Sequence, residues 1–212
     1  MLATIPGFYV TRVFPDSMHT VDMGVTPFLV GSVLWELVAC GTAYPGASRD
    51  NRLASAYLAY KTFNKQQGIN IRSALWTCKK MNKAKASEFA FMKAKANECT
   101  KMVPYLLHLV SVNNSGSDHD VLRKTCVWAL SEYYNDIADR ARYLTAAKLG
   151  ALQFHVGTFL RCYNALCVEA QLSGIKCWHM VPKFHMFEHI ADVVAPQVCC
   201  LSGSCACVCV CL

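Results

Sequence analysis

Charge is scarce in this 212-residue chain, at 17% of residues, and acidic charge is scarcer than basic, with 14 Asp and Glu against 21 Lys and Arg. Several signatures of catalysis are absent. There is no Gly-rich phosphate loop, no Gly-x-Ser-x-Gly elbow and no Cys-x-x-Cys pair. P-loop nucleotide hydrolysis, α/β-hydrolase chemistry and a thioredoxin-type redox centre therefore have no support here. Residues 1–15 show no basic stretch ahead of an apolar run, so no secretory signal is expected. Long apolar runs are also wanting. Residues 25–40 are interrupted by Pro27, Gly31 and Glu36 and fall short of a bilayer span, and residues 193–212, although uncharged, contain Pro196, Gln197, Ser202, Gly203 and Ser204. No membrane partner is expected from these runs.

What is present is apolar bulk. Hydrophobic residues make up 54% of the chain and mean hydropathy is +0.23, enough for one domain with a real core and far from a disordered composition. The net charge of +7 permits contact with a polyanion such as nucleic acid, and equally describes a mildly basic globular protein. Of the 13 cysteines, Cys40, Cys78, Cys99, Cys126, Cys162, Cys167 and Cys177 are scattered and read as reduced, small apolar residues. The other six crowd residues 199–212. There, alternating Cys and Val is what a TG dinucleotide repeat encodes, and translated repeat is favoured over a soft-metal thiolate site.

The pattern predicts a mainly α, multi-helix domain with one short N-terminal strand. Residues 8–14, Phe-Tyr-Val-Thr-Arg-Val-Phe, read as that strand, ending at Pro15-Asp16. Helices are expected over 20–38, over 51–65 and ended by Gly68, briefly after an N-cap at Ser73, and over 84–112 with a kink or break at Pro104. Another is expected from a cap at Asp118 or Asp120, its face running from Leu122 through Ala141 to Leu144. Gly150 separates it from a further helix ending near Ser173-Gly174, and a last one covers 183–194. The organisation is then 1–16, a strand left from a larger sheet; 17–198, a helical domain; and 199–212, a Cys-rich low-complexity tail.

Three constellations bear chemistry. Asp16 follows the strand, where carboxylates often hold Mg²⁺, and it also suits the N-cap of the next helix. His185 and His189 share a helix face with His179 upstream, a spacing open to zinc, and more often simply hydrogen-bonded structure. Lys79, Lys80, Lys83, Lys85, Lys93, Lys95 and Lys101 would line a positive helix flank attractive to phosphates, the plainer reading being a solvated face.

Taken together, Asp16-Ser17-Met18-His19, then Gly24, then far downstream Pro182-Lys183-Phe184-His185 and His189, the chain resembles eukaryotic cut-and-paste DNA transposases of the CACTA and Kyakuja-Dileera-Zisupton types. The resemblance rests on these two short segments and on their order. It implies an RNase H-like core with a helical insertion, in which three acidic residues hold two Mg²⁺ ions for attack on a phosphodiester. Asp16 would be the second acid. The first would precede residue 1 and the third would follow the chain, Glu188 being poorly placed for it, so that this polypeptide alone is expected to be an inactive, transposon-derived piece. The resemblance further implies an intracellular, nuclear protein with weak non-specific DNA binding. A non-catalytic helical protein-interaction module is the alternative, and thiol-rich metal binding by the tail the third reading.

Overall fold

A computed structural model of the chain describes residues 16–41, 43–138 and 145–194. The strand expected over 8–14 and the tail expected over 199–212 lie outside the described residues. Six helices carry the fold, and there is no strand among the described residues.

Helix α1, Met18–Cys40, is the most apolar. It is α-helical over Thr26–Leu34 and widens to π turns over Met18–Val25 and Trp35–Cys40. Every residue of Thr26–Leu34 except Phe28 is buried, the pattern of a helix enclosed on all sides. The helix is long and apolar enough to cross a bilayer, yet most of its apolar window is buried inside the protein. It outruns the expected span of 20–38, and Pro27, Gly31 and Glu36, the three residues read as interruptions, all sit within it. Pro27 is near the start of the α segment, and because the π turns before it are continuous with that segment its missing N–H leaves a carbonyl of the preceding turn without its helical partner. Gly31 lies under the backbone of Phe91: a Cβ there would stand 2.6 Å from Phe91 N and 2.7 Å from its Cα.

Helix α2, Arg49–Gln66, is capped by Ser48, whose side chain accepts from Asn51 N at 3.2 Å. It ends as expected at Gly68, whose φ of +69° lets Ile69 N reach Asn64 O at 2.8 Å. Helix α3, Ala96–Val112, starts twelve residues later than the sequence suggested and runs through Pro104 undivided. In α4, Asp118–Ala138, the cap is Ser117, which accepts Asp120 N on its hydroxyl at 3.2 Å. Asp118 and Asp120 fall inside the first turn, and Asp120 turns back to take Ser115 N at 2.9 Å. Helix α5, Ala146–Leu172, is capped by Thr145 and contains Gly150 rather than beginning after it. Its buried face includes Leu152, Val156, Phe159, Tyr163 and Leu166, while Ala141 and Leu144 lie outside the described residues. Helix α6, Pro182–His189, continues through a π turn over Ile190–Val194.

Between α2 and α3, residues 67–95 form a connector without regular structure. Neither the short helix after Ser73 nor the helical stretch expected over 84–95 forms. Instead the backbone is pinned to its surroundings: Phe91 N to Met81 O at 3.0 Å, Lys93 N to Lys80 O at 2.8 Å, Met92 N to Pro27 O at 2.9 Å and Ala90 N to Lys176 O at 3.1 Å. Trp76, Met81, Ala90 and Met92 anchor it, each fully buried. A connector of this length has to satisfy its backbone by such bonds if it is to lie against a core.

Helices α4 and α5 pack along each other, with α3 against α4 and α1 against α3. Helix α6 closes the molecule by lying on the first turns of α1 and on α5. Its Phe184 and Phe187 enter an aromatic cluster with Tyr133, Phe159 and Tyr163.

Candidate functional site

The two segments that carry the transposase resemblance meet. Lys183 at the start of α6 reaches across to α1, its Nζ donating to His19 O at 2.9 Å and approaching Met23 O at 3.5 Å. Met23 O is the carbonyl that the N–H absent from Pro27 would serve in an α-helix. Gly24 makes room for this arm, because a Cβ there would overlap Lys183 Cδ. Below it, Ser17 and Tyr133 share a hydroxyl–hydroxyl bond of 2.6 Å, and the Tyr133 ring meets Phe187 edge-on at 4.8 Å. Thus Met18, His19, Gly24, Pro182, Lys183, His185 and His189 all lie on two helices in direct contact.

Asp16 caps α1. Its Oδ1 accepts His19 N at 2.9 Å and its Oδ2 meets His19 Nδ1 at 2.8 Å. These bonds, the backbone one foremost, hold its carboxyl below the usual carboxylate range. The side chain is 44% exposed, so ions can reach it, but both oxygens are engaged by one histidine. Asp22, the next acid, is turned inward to accept Tyr134 OH at 2.7 Å, and burial raises its pKa. Among the described residues no three His, Cys, Asp or Glu side chains gather where an ion could sit, and Asp16 is the one acid of the two-Mg²⁺ centre that the resemblance implies within this chain. No model of a known protein family, no curated protein and no solved structure matches the chain.

The histidines separate. His185 and His189 do pair, Nε2 to Nε2 at 3.0 Å, with Glu188 at 3.3 Å from His185 Nδ1. His179 goes elsewhere: it stacks on Phe89 at 4.0 Å and stands edge-on to Phe28. Burial there, with Lys176 nearby, lowers its pKa.

The lysines do not form a helix flank. Only Lys101 lies within α3, and Lys95 stands at its cap. Lys79, Lys85, Lys93 and Lys95 are exposed, and Lys80 lies 4.0 Å from Glu98. Lys83 is buried: its Nζ donates to Glu88 O at 2.7 Å and Ala86 O at 3.3 Å, and sits 5.0 Å over the Trp35 ring. The bond from Lys93 N to Lys80 O brings these two lysines side by side.

A polar cluster missed by sequence reading lines a cleft of about 440 Å³ between α1, α4 and α5. His119 bridges Glu169 at 2.7 Å and Glu36 at 3.2 Å. Glu36 also receives Arg123 at 3.3 Å and Trp178 Nε1 at 2.5 Å, and Arg123 pairs with Asp120. The carboxylates, Glu36 foremost, push the His119 pKa up to about 9. The bonds that join the different elements of this cluster link residues 50 to 142 positions apart, and the trace legible in the sequence was Glu36, an acid inside an apolar run.

Proposed function

We propose that this chain is a transposase-derived helical domain that holds the phosphate backbone of DNA, in the nucleus, without cutting it. The observation that carries the reading is the pinned loop over 79–95. Its two arms are joined by Lys93 N on Lys80 O at 2.8 Å and leave Lys79, Lys85 and Lys93 exposed, while Glu88, the acid between them, is half-buried and taken up by Lys85 N at 2.8 Å. Ammonium groups held in this way attract phosphates without reading sequence. The meeting of the two resemblance-bearing segments at Lys183 supports the ancestry, and the engagement of Asp16 with His19 supports a role without phosphodiester chemistry.

The test is the salt dependence of binding to a random-sequence duplex, read by fluorescence anisotropy. Three lysine–phosphate contacts give a log–log slope of about −2.7. The triple variant Lys79→Gln, Lys85→Gln, Lys93→Gln should bring that slope close to zero. Binding that does not respond to salt, or a triple variant with the parent's slope, overturns the reading. A second reading, docking of a partner protein, is favoured by Met18, Met23, Met180 and Met186, which are 38–46% exposed on and beside the two helices that meet at Lys183. Methionine adapts to varied apolar partners. Complexes held that way would be little affected by salt.

A further inference from the structure

Away from the junction, the connector, the start of α3 and Tyr60 of α2 line a cavity of about 350 Å³. Its inner wall holds two hydroxyls with no protein partner, Tyr60 Oη and Ser73 Oγ, both buried as atoms, and Tyr60 is wholly buried as a residue. An unpaired buried hydroxyl is costly, and such groups in native proteins call for an explanation. Tyr60 cannot turn away. It is stacked on Trp76 at 5.1 Å and held edge-on by Tyr105 at 5.3 Å.

The mouth of the same cavity is cationic. Arg72, Lys95 and Lys101 line it and make no ion pair among the described residues. Glu98, the one acid in the wall, is occupied by Lys95 N at 3.4 Å and by Lys80 at 4.0 Å. Burial keeps the Tyr60 phenol protonated, so it can donate. The wall of the cavity thus holds two unpaired hydroxyls, together with three cations that make no ion pair among the described residues.

We propose that this cavity is a binding site for a phosphoryl group, with Tyr60 and Ser73 donating to its oxygens and Arg72, Lys95 and Lys101 balancing its charge. The proposal stands without the nucleic-acid reading, since a free phosphate ester and a backbone phosphate present the same group.

The experiment is titration of the full chain with inorganic phosphate, followed by amide chemical shifts in ¹⁵N spectra, with chloride at matched ionic strength as control. Saturable shifts at Asn70, Ser73 and Asn97, absent with chloride, are expected. Tyr60→Phe removes the hydroxyl alone and should weaken phosphate on the order of tenfold, the loss of one hydrogen bond to a charged group, while leaving the fold intact. Arg72→Gln, at an exposed position, should weaken it also. Shifts that do not saturate, shifts equalled by chloride, or affinity unchanged in both variants overturn the proposal. A duplex that displaces phosphate from these amides identifies a backbone phosphate as the source. Phosphate binding with no duplex effect there identifies a free phosphate ester, and would stand even if the 79–93 lysines proved not to bind DNA.

Discussion

At Gly31 the chain has no room for a side chain, because the backbone of Ala90 and Phe91 lies across the helix there. Alanine would gain helix propensity of about 1 kcal/mol, but its methyl group would press on backbone that Met92 N and Ala90 N hold in place. Overpacking of this kind costs about 1–3 kcal/mol, so Gly31→Ala should lower the urea midpoint without changing the slope m. Gly150, also helical, has nothing within 4 Å of its would-be Cβ, and Gly150→Ala should raise the midpoint by roughly the propensity term. If both variants move the same way, the close approach at Gly31 is wrong. Sequence alone could not separate these two glycines, since each read as a break in a helical pattern. The lysines teach the same lesson. Seven were legible as charge, but direction was not, and Lys83 spends its charge on two carbonyls and the face of Trp35.

Helix faces were legible where apolar residues recur every three or four positions, as in α5, because that spacing is set by the helix itself. Boundaries failed over 84–95. The Lys- and Ala-rich composition there favours helix, yet backbone bonds to Met81, Lys80, Pro27 and Lys176 prevail, and none of those partners is local to the segment. The cleft between α1, α4 and α5 was invisible for the same reason. It makes a prediction at the level of elements. His119, 38% exposed, ties α4 to Glu36 of α1 and Glu169 of α5, with Arg123 as the other charge facing it and Asp120 paired to Arg123. Its pKa is about 9 in the fold against 6.5 when unperturbed. A group raised on folding contributes its stabilisation fully below the unfolded value and loses it as pH climbs through the folded one. The urea midpoint should therefore hold below about pH 6.5 and decline towards pH 9. His119→Gln should remove that decline, and the His119 ring resonance should titrate near 9. A midpoint that falls as steeply in the variant would show that other groups govern this range.

The described fold is closed by α6. Lys183 and His19 stand 164 positions apart, so the chain encloses nearly all of the described fold before α6 seats on α1. Loop-closure entropy grows only slowly with length, and what offsets it here is apolar. Phe187 is fully buried against Tyr133 at 4.8 Å and Phe159 at 5.8 Å, and Phe184 lies 4.4 Å from Tyr163. Lys183 adds one hydrogen bond at an exposed site, worth much less than a buried ring. Phe187→Ala should thus cost about 3–5 kcal/mol, a large share of the 5–15 kcal/mol that typically separates folded from unfolded domains. Lys183→Met, which keeps much of the apolar stem, should cost about 1 kcal/mol. The difference is also spatial. Hydrogen exchange in Phe187→Ala should speed up first in Pro182–His189 and in Met18–Val25, which α6 covers, while Arg49–Gln66, packed on the far end of α1 and on α3, keeps its protection until global unfolding. Equal loss of protection in all three segments would mean that α6 is one part of a single cooperative unit and not the piece that closes it.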